Sequence, residues 1–130
     1  MIALYIKSDN ERAVVGIVVG TKKNNEISWR AHRTLASTIH LKIKEVLNKS
    51  SISLGDLDGL IVHEGPGSFT GLRIGHTVAN ALSYSLSIPA VSSGGKNWVE
   101  NGVRKISAQP QKKIAVPIYG GPAKTTKPRK

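Results

Sequence analysis

At 130 residues and without a cysteine, the chain is long enough to bury one core unaided and can hold no disulfide framework, thiolate metal site or cysteine nucleophile. No apolar run approaches the roughly 20 residues that span a bilayer, and the N-terminal "MIALYIKSDNER" lacks the order of a signal peptide, so a cytoplasmic setting away from membranes is expected. The net charge of +11 is uneven: residues 1–95 hold ten basic and seven acidic residues, whereas residues 96–130 hold nine and one, a cationic strip suited to RNA phosphates.

Taken in order, "IALYI" (2–6) and "AVVGIVV" (13–19) are β-branched, apolar runs around a polar turn, which predicts a hairpin. "TKKNNE" reads as a second turn and "ISWR" (27–30) as a third antiparallel strand. The period then changes. Leu35, Ile39, Ile43, Val46 and Leu47 recur at three- and four-residue steps, an amphipathic helix over 33–48. "GLIVHE" (59–64) has the apolar run of a strand buried on both faces. A helix is predicted over 71–87, then a strand over 88–93. This order gives a mixed α/β sheet with helical crossovers. Further on, "NWVENGVRKI" reads as a short helix and "KIAVPIY" (113–119) as an edge strand, because Pro117 cannot sit in a central one. Residues 120–130 read as a basic disordered tail.

The loop "GPGSFTGLRIG" between the strand at 59–64 and the following helix invites several chemistries. A Walker A loop needs G-x-x-x-x-G-K-[ST], but five residues separate Gly65 from Gly71 and Leu72 stands where the lysine belongs. A dinucleotide fingerprint fails on spacing at Gly65, Gly67 and Gly71. A nucleophile elbow around Ser68 has Pro66 and Thr70 where glycines belong. Its base would be His40, His63 or His76, with Glu64, Asp56 or Asp58 as third group. His63 and Glu64 do not extend to H-E-x-x-H. What remains is a strand-to-helix turn with accessible backbone amides, stiffened by Pro66, in which Ser68 or Thr70 caps the helix and an anion can bind. Within that helix Gly71, Gly75, Ala79 and Ser83 recur every four residues, a stripe of small side chains that permits close approach. The flanking Leu72, Ile74, Val78, Leu82 and Leu86 exceed what one face can bury, which leaves apolar surface for a partner.

"GPGSFTGLRIG" followed by "VANALSYSLSIPAVSS", with "LGDLDGLIV" upstream, resembles the TsaB (YeaZ) family over about residues 1–95, and "VPIYGGPAK" is similar to its C-terminal ending. The resemblance implies a single actin-like (ribonuclease-H-like) lobe at 1–95, with a mixed five-stranded sheet and two main helices. A remnant of a second lobe and an edge strand would occupy 96–119. It implies a non-catalytic scaffold for making threonylcarbamoyladenosine at position 37 of ANN-decoding tRNAs, docked on a TsaD-like transferase through a helical bundle. A TsaE-like ATPase would join the larger complex, and a homodimer would use the same helices. The expected contact residues are Leu35, Ile39, Ile43, Leu72, Gly75, Ala79, Leu82 and Ser83. The motif loop is Gly65, Pro66, Gly67, Ser68, Phe69, Thr70, Gly71 and Arg73, with Arg73 placed to meet a carboxylate or an RNA phosphate. No cofactor, metal or catalytic residue is expected. Where the family's first strand ends I-D-T-S, this chain has Ile6, Lys7, Ser8 and Asp9, a lysine in place of the aspartate that actin-like ATPases use. The alternatives are a small serine hydrolase using Ser68 and a free-standing RNA-binding module working through residues 104–130.

Overall fold

The computed structural model describes residues 1–108. Strands β1 (Ile2–Lys7), β2 (Arg12–Val19) and β3 (Lys22–Arg30) form an antiparallel meander, followed by helix α1 (Leu35–Lys49). Strand β4 (Gly59–His63), helix α2 (Phe69–Leu86), strand β5 (Ala90–Ser93) and helix α3 (Trp98–Ala108) complete the described chain. The sheet order is β3-β2-β1-β4-β5, with β4 parallel to both β1 and β5. The mixed five-stranded sheet anticipated from the sequence is therefore present.

Side chains alternate across each strand, and both faces of the sheet are covered. Leu4, Ile6, Val15, Ile17, Leu60 and Val62 pack beneath the α1 residues Leu35, Ile39, Ile43, Val46 and Leu47 and beneath Ala79 of α2. Their neighbours Ala3, Tyr5, Val18, Ile61 and Val91 face the other way, onto Trp98, Val99, Val103 and Ile106 of α3. Two covered faces explain why "GLIVH" carries no polar alternation: all five residues of β4 are buried. Residues 98–108, expected as part of a second-lobe remnant, thus lie on the second face of this same sheet.

Three boundaries differ from expectation. "KKNNE" is strand rather than turn: β3 starts at Lys22, and the reversal is made by Gly20 at φ 65° with Thr21. An exposed edge strand is held by backbone pairing and needs few apolar side chains, so composition hides it; a register slip between Ile17 and Val18 absorbs the irregularity. Helix α2 begins at Phe69, two residues early, because Ser68 rather than Gly71 opens it. Strand β5 begins only at Ala90, past Pro89. The expected strand at 113–119 and tail at 120–130 lie outside the described residues. Among the described residues no helix is long and apolar enough to cross a membrane.

Candidate functional site

The glycine loop is built by close contact with the end of β1. Gly65 has φ 94° and precedes a cis bond to Pro66. A methyl group at Gly67 would overlap Asp9, one at Gly71 the Ser8 carbonyl, and one at Gly75 the Ser8 hydroxyl. Ser8 is fully buried, and its Oγ donates to the Gly71 carbonyl at 2.7 Å. The glycines therefore exist to bring α2 onto β1.

Four of the loop amides are engaged internally, which leaves fewer of them for an anion than the sequence suggests. Gly65 N donates to His63 Nδ1 at 3.1 Å and Ser68 N to the Asp9 carbonyl at 2.8 Å. Gly71 N donates to Ser68 Oγ at 3.2 Å and Leu72 N to the Ser68 carbonyl at 2.9 Å. Ser68 is the N-cap of α2, and its hydroxyl is occupied as an acceptor.

The candidate bases turn elsewhere. His63 takes the Gly65 N–H on Nδ1, so that nitrogen is unprotonated, and its ring stacks edge-on against Trp98 at 5.2 Å. Burial holds its imidazole below the ordinary value, against the opposite pull of the Asp9 carboxylate, whose Oδ2 lies 3.9 Å from Nδ1. His76 donates from Nδ1 to the Leu72 carbonyl at 2.8 Å, and its Nε2 faces Ser92 Oγ at 3.3 Å. Burial lowers its pKa as well. His40 is exposed on α1, and Asp56 caps the Ser53 turn. None of the histidines and acids weighed for a Ser68 hydrolase thus hydrogen-bonds the Ser68 hydroxyl. Lys7 Nζ lies 2.6 Å from Asp9 Oδ1, so a cation already faces the carboxylate at the end of β1.

The helix pair holds the second group of expected residues, and here the structure changes their role. Leu35, Ile39, Ile43, Leu72, Gly75, Ala79 and Ser83 are all buried within the chain. The small stripe of α2 faces the chain's own β1: the Cβ position of Gly75 meets Ser8 and Ile6. Ser83 Oγ donates to the Ile88 carbonyl, closing the helix end. Of the eight expected contact residues, Leu82 alone is partly exposed.

The apolar excess on the flank of α2 lines the outside instead. Between α1 and α2 runs a surface groove of two hollows that share Val78. One, of about 450 Å³, is lined by Ala36, Phe69, Thr70, Arg73, Ile74 and Thr77. The other, of about 510 Å³, lies against His40, Lys44, Ile52, Leu54, Ala81 and Leu82. Phe69 is 54% exposed there, with the Arg73 guanidinium 5.4 Å from its ring centre. Ala36, Phe69, Thr77 and Ala81 were not singled out as contacts by sequence reasoning. The signal available for them was the surplus of apolar positions at Ile74, Val78 and Leu82.

An antiparallel three-stranded meander continued by two parallel strands, with crossover helices on one face, is the actin-like, ribonuclease-H-like lobe. The family model described as "TsaD: tRNA N6-adenosine threonylcarbamoyltransferase" matches residues 26–92. The chain belongs to this family of threonylcarbamoyladenosine proteins, with TsaB/YeaZ among its relatives. It is 34% identical to the tRNA N6-adenosine threonylcarbamoyltransferase of Geotalea daltonii, over 74% of this chain and 27% of that protein. It is 32% identical to the tRNA threonylcarbamoyladenosine biosynthesis protein TsaB of Haemophilus influenzae, over 68% of this chain and 37% of that one. The structure of YeaZ from Pseudomonas aeruginosa superposes with a TM-score of 0.67 at 22% identity, covering 72% of this chain and 43% of YeaZ. The chain therefore spans less than half the length of each of these three relatives.

Proposed function

We propose that the protein is a non-catalytic scaffold subunit for forming threonylcarbamoyladenosine at position 37 of ANN-decoding tRNAs. It docks on a TsaD-like transferase through the outer groove between α1 and α2, in a larger cytoplasmic complex that includes a TsaE-like ATPase. The observation that carries this reading is the groove itself: exposed Phe69 and half-buried Ile74, Val78 and Leu82 of α2 line it on one side, and Ala36, Ile43 and Leu47 of α1 on the other. Partner helices bury such surface most readily in a groove of this shape. The non-catalytic assignment is supported by the loop chemistry. The Ser68 hydroxyl caps a helix and four loop amides are bonded within the chain. Of the buried residues, Ile43 also floors the groove, whereas Leu35, Ile39, Leu72, Gly75, Ala79 and Ser83 serve this function indirectly, by fixing the two helices on the sheet. The basic residues beyond Arg104 give tRNA a second point of attraction.

The test is reconstitution with the TsaD-like transferase of the same organism. The chain co-purifies with it and raises the rate of threonylcarbamoyl transfer to tRNA. Equal rates with and without the chain, and no co-purification, would overturn the assignment.

A further inference from the structure

We propose that the α1/α2 groove selects partner helices that carry carboxylates opposite Arg73 and Lys44, and that the same two cations disfavour pairing of the groove with a second copy of itself. The inference rests on the docking reading above and adds which partner surface fits.

Every formally charged residue that lines the two hollows is a cation. Arg73 stands in one and Lys44 in the other, and neither hollow is lined by an aspartate or glutamate. Helix α2 contains no acidic residue, and the single one in α1, Glu45, lies 3.6 Å from Lys42. Among the described residues neither Arg73 nor Lys44 forms an ion pair. Stacking over the Phe69 ring holds the Arg73 guanidinium at the rim of its hollow. The floor is apolar, through Ile43, Leu47, Ile52, Val78 and Leu82, which suits helical side chains better than a nucleic-acid backbone.

The floor supplies contact area without choosing a partner; the rim charges choose. A two-fold homodimer uses the same patch on both copies. With the two grooves face to face, neither hollow offers a carboxylate to Arg73 or Lys44 of the other copy. A partner with carboxylates at those places turns the same charges into attraction.

The experiment uses the full chain and the TsaD-like transferase of the same organism. Binding is measured at 50 and 500 mM NaCl for wild type, for Lys44→Glu/Arg73→Glu, and for Lys96→Glu/Arg104→Glu. The last makes the same change of charge at the α3 end of the opposite sheet face and controls for the overall charge of +11. All three residues changed on helices and Lys96 are exposed, and thermal midpoints confirm folding. The groove variant is expected to bind about a hundredfold more weakly at low salt, and the control within about threefold. The gap narrows at high salt. In sedimentation without the transferase, an equimolar mixture of wild type and groove variant associates more tightly than either alone. Equal binding by wild type and groove variant overturns the proposal, as does a wild-type homodimer as tight as the mixed pair. Loss of tRNA binding with transferase binding intact assigns the groove to RNA and overturns it too. Absence of transferase binding by wild type at both salt concentrations overturns the docking reading itself, a result distinct from the others.

Discussion

Replacing Gly75 by alanine tests whether the small stripe of α2 serves the chain's own fold. The new Cβ would overlap Ser8 Oγ, with Ser8 Cβ at 3.3 Å and Ile6 Cγ2 at 3.5 Å. To make room the Ser8 hydroxyl must leave the Gly71 carbonyl, a bond of 2.7 Å. Losing that bond costs about 1 kcal/mol, and overpacking adds about 1–3 kcal/mol. Alanine returns about 1 kcal/mol of helix propensity. The net destabilisation is about 1–3 kcal/mol, which lowers the thermal midpoint by roughly 4–12 °C for a domain of this size. Removing the obstacle should remove the penalty: in a Ser8→Ala background, Gly75→Ala is expected to be neutral or stabilising. Thermal unfolding of the four proteins by circular dichroism gives the coupling directly. A higher midpoint for Gly75→Ala alone, or an equal penalty in both backgrounds, would refute the packing argument.

Three further outcomes follow from the loop and from the helix it opens. His63 and His76 both have pKa values lowered by burial, so the unfolded chain takes up protons first as pH falls. Stability is fully present above the ordinary value of 6.5 and declines below it, towards the lowered folded values. The thermal midpoint should therefore drop between pH 7.5 and 5.5, and less so in His63→Gln/His76→Gln; a slope unchanged in that variant would contradict the assignment. Ser68→Ala should destabilise the protein by about 1 kcal/mol through loss of the helix cap, measured by urea unfolding. A fluorophosphonate probe should leave Ser68 of the wild type unlabelled; labelling would restore the hydrolase reading.

Much of the fold was legible because it rests on local pattern. The three- and four-residue spacing from Leu35 to Leu47 marks α1, and the unbroken run "LIV" in β4 announces a strand covered on both sides. Edge strand β3 was half hidden, because Lys22–Glu26 pairs through its backbone and exposes its side chains. The stripe Gly71, Gly75, Ala79, Ser83 was visible, but its direction was not. Spacing shows that something approaches closely and cannot say whether it is Ser8, 67 residues before Gly75, or another protein. The loop shows the same limit: glycines can free amides for an anion or allow the chain to press against itself. Only the contacts of Gly67 with Asp9 and of Gly71 with Ser8 decide between them. The groove was legible only as a surplus, apolar positions at Ile74, Val78 and Leu82 left over after the core was filled.

The most direct measurement is the affinity of Ala36→Glu/Ala81→Glu for the TsaD-like transferase by isothermal titration calorimetry. Both alanines are exposed, and each lines one hollow, so the fold should tolerate the change within about 0.5 kcal/mol. Docking through the groove predicts binding at least about a hundredfold weaker than wild type. Affinity equal to wild type, in a protein that melts at the same temperature, would contradict it.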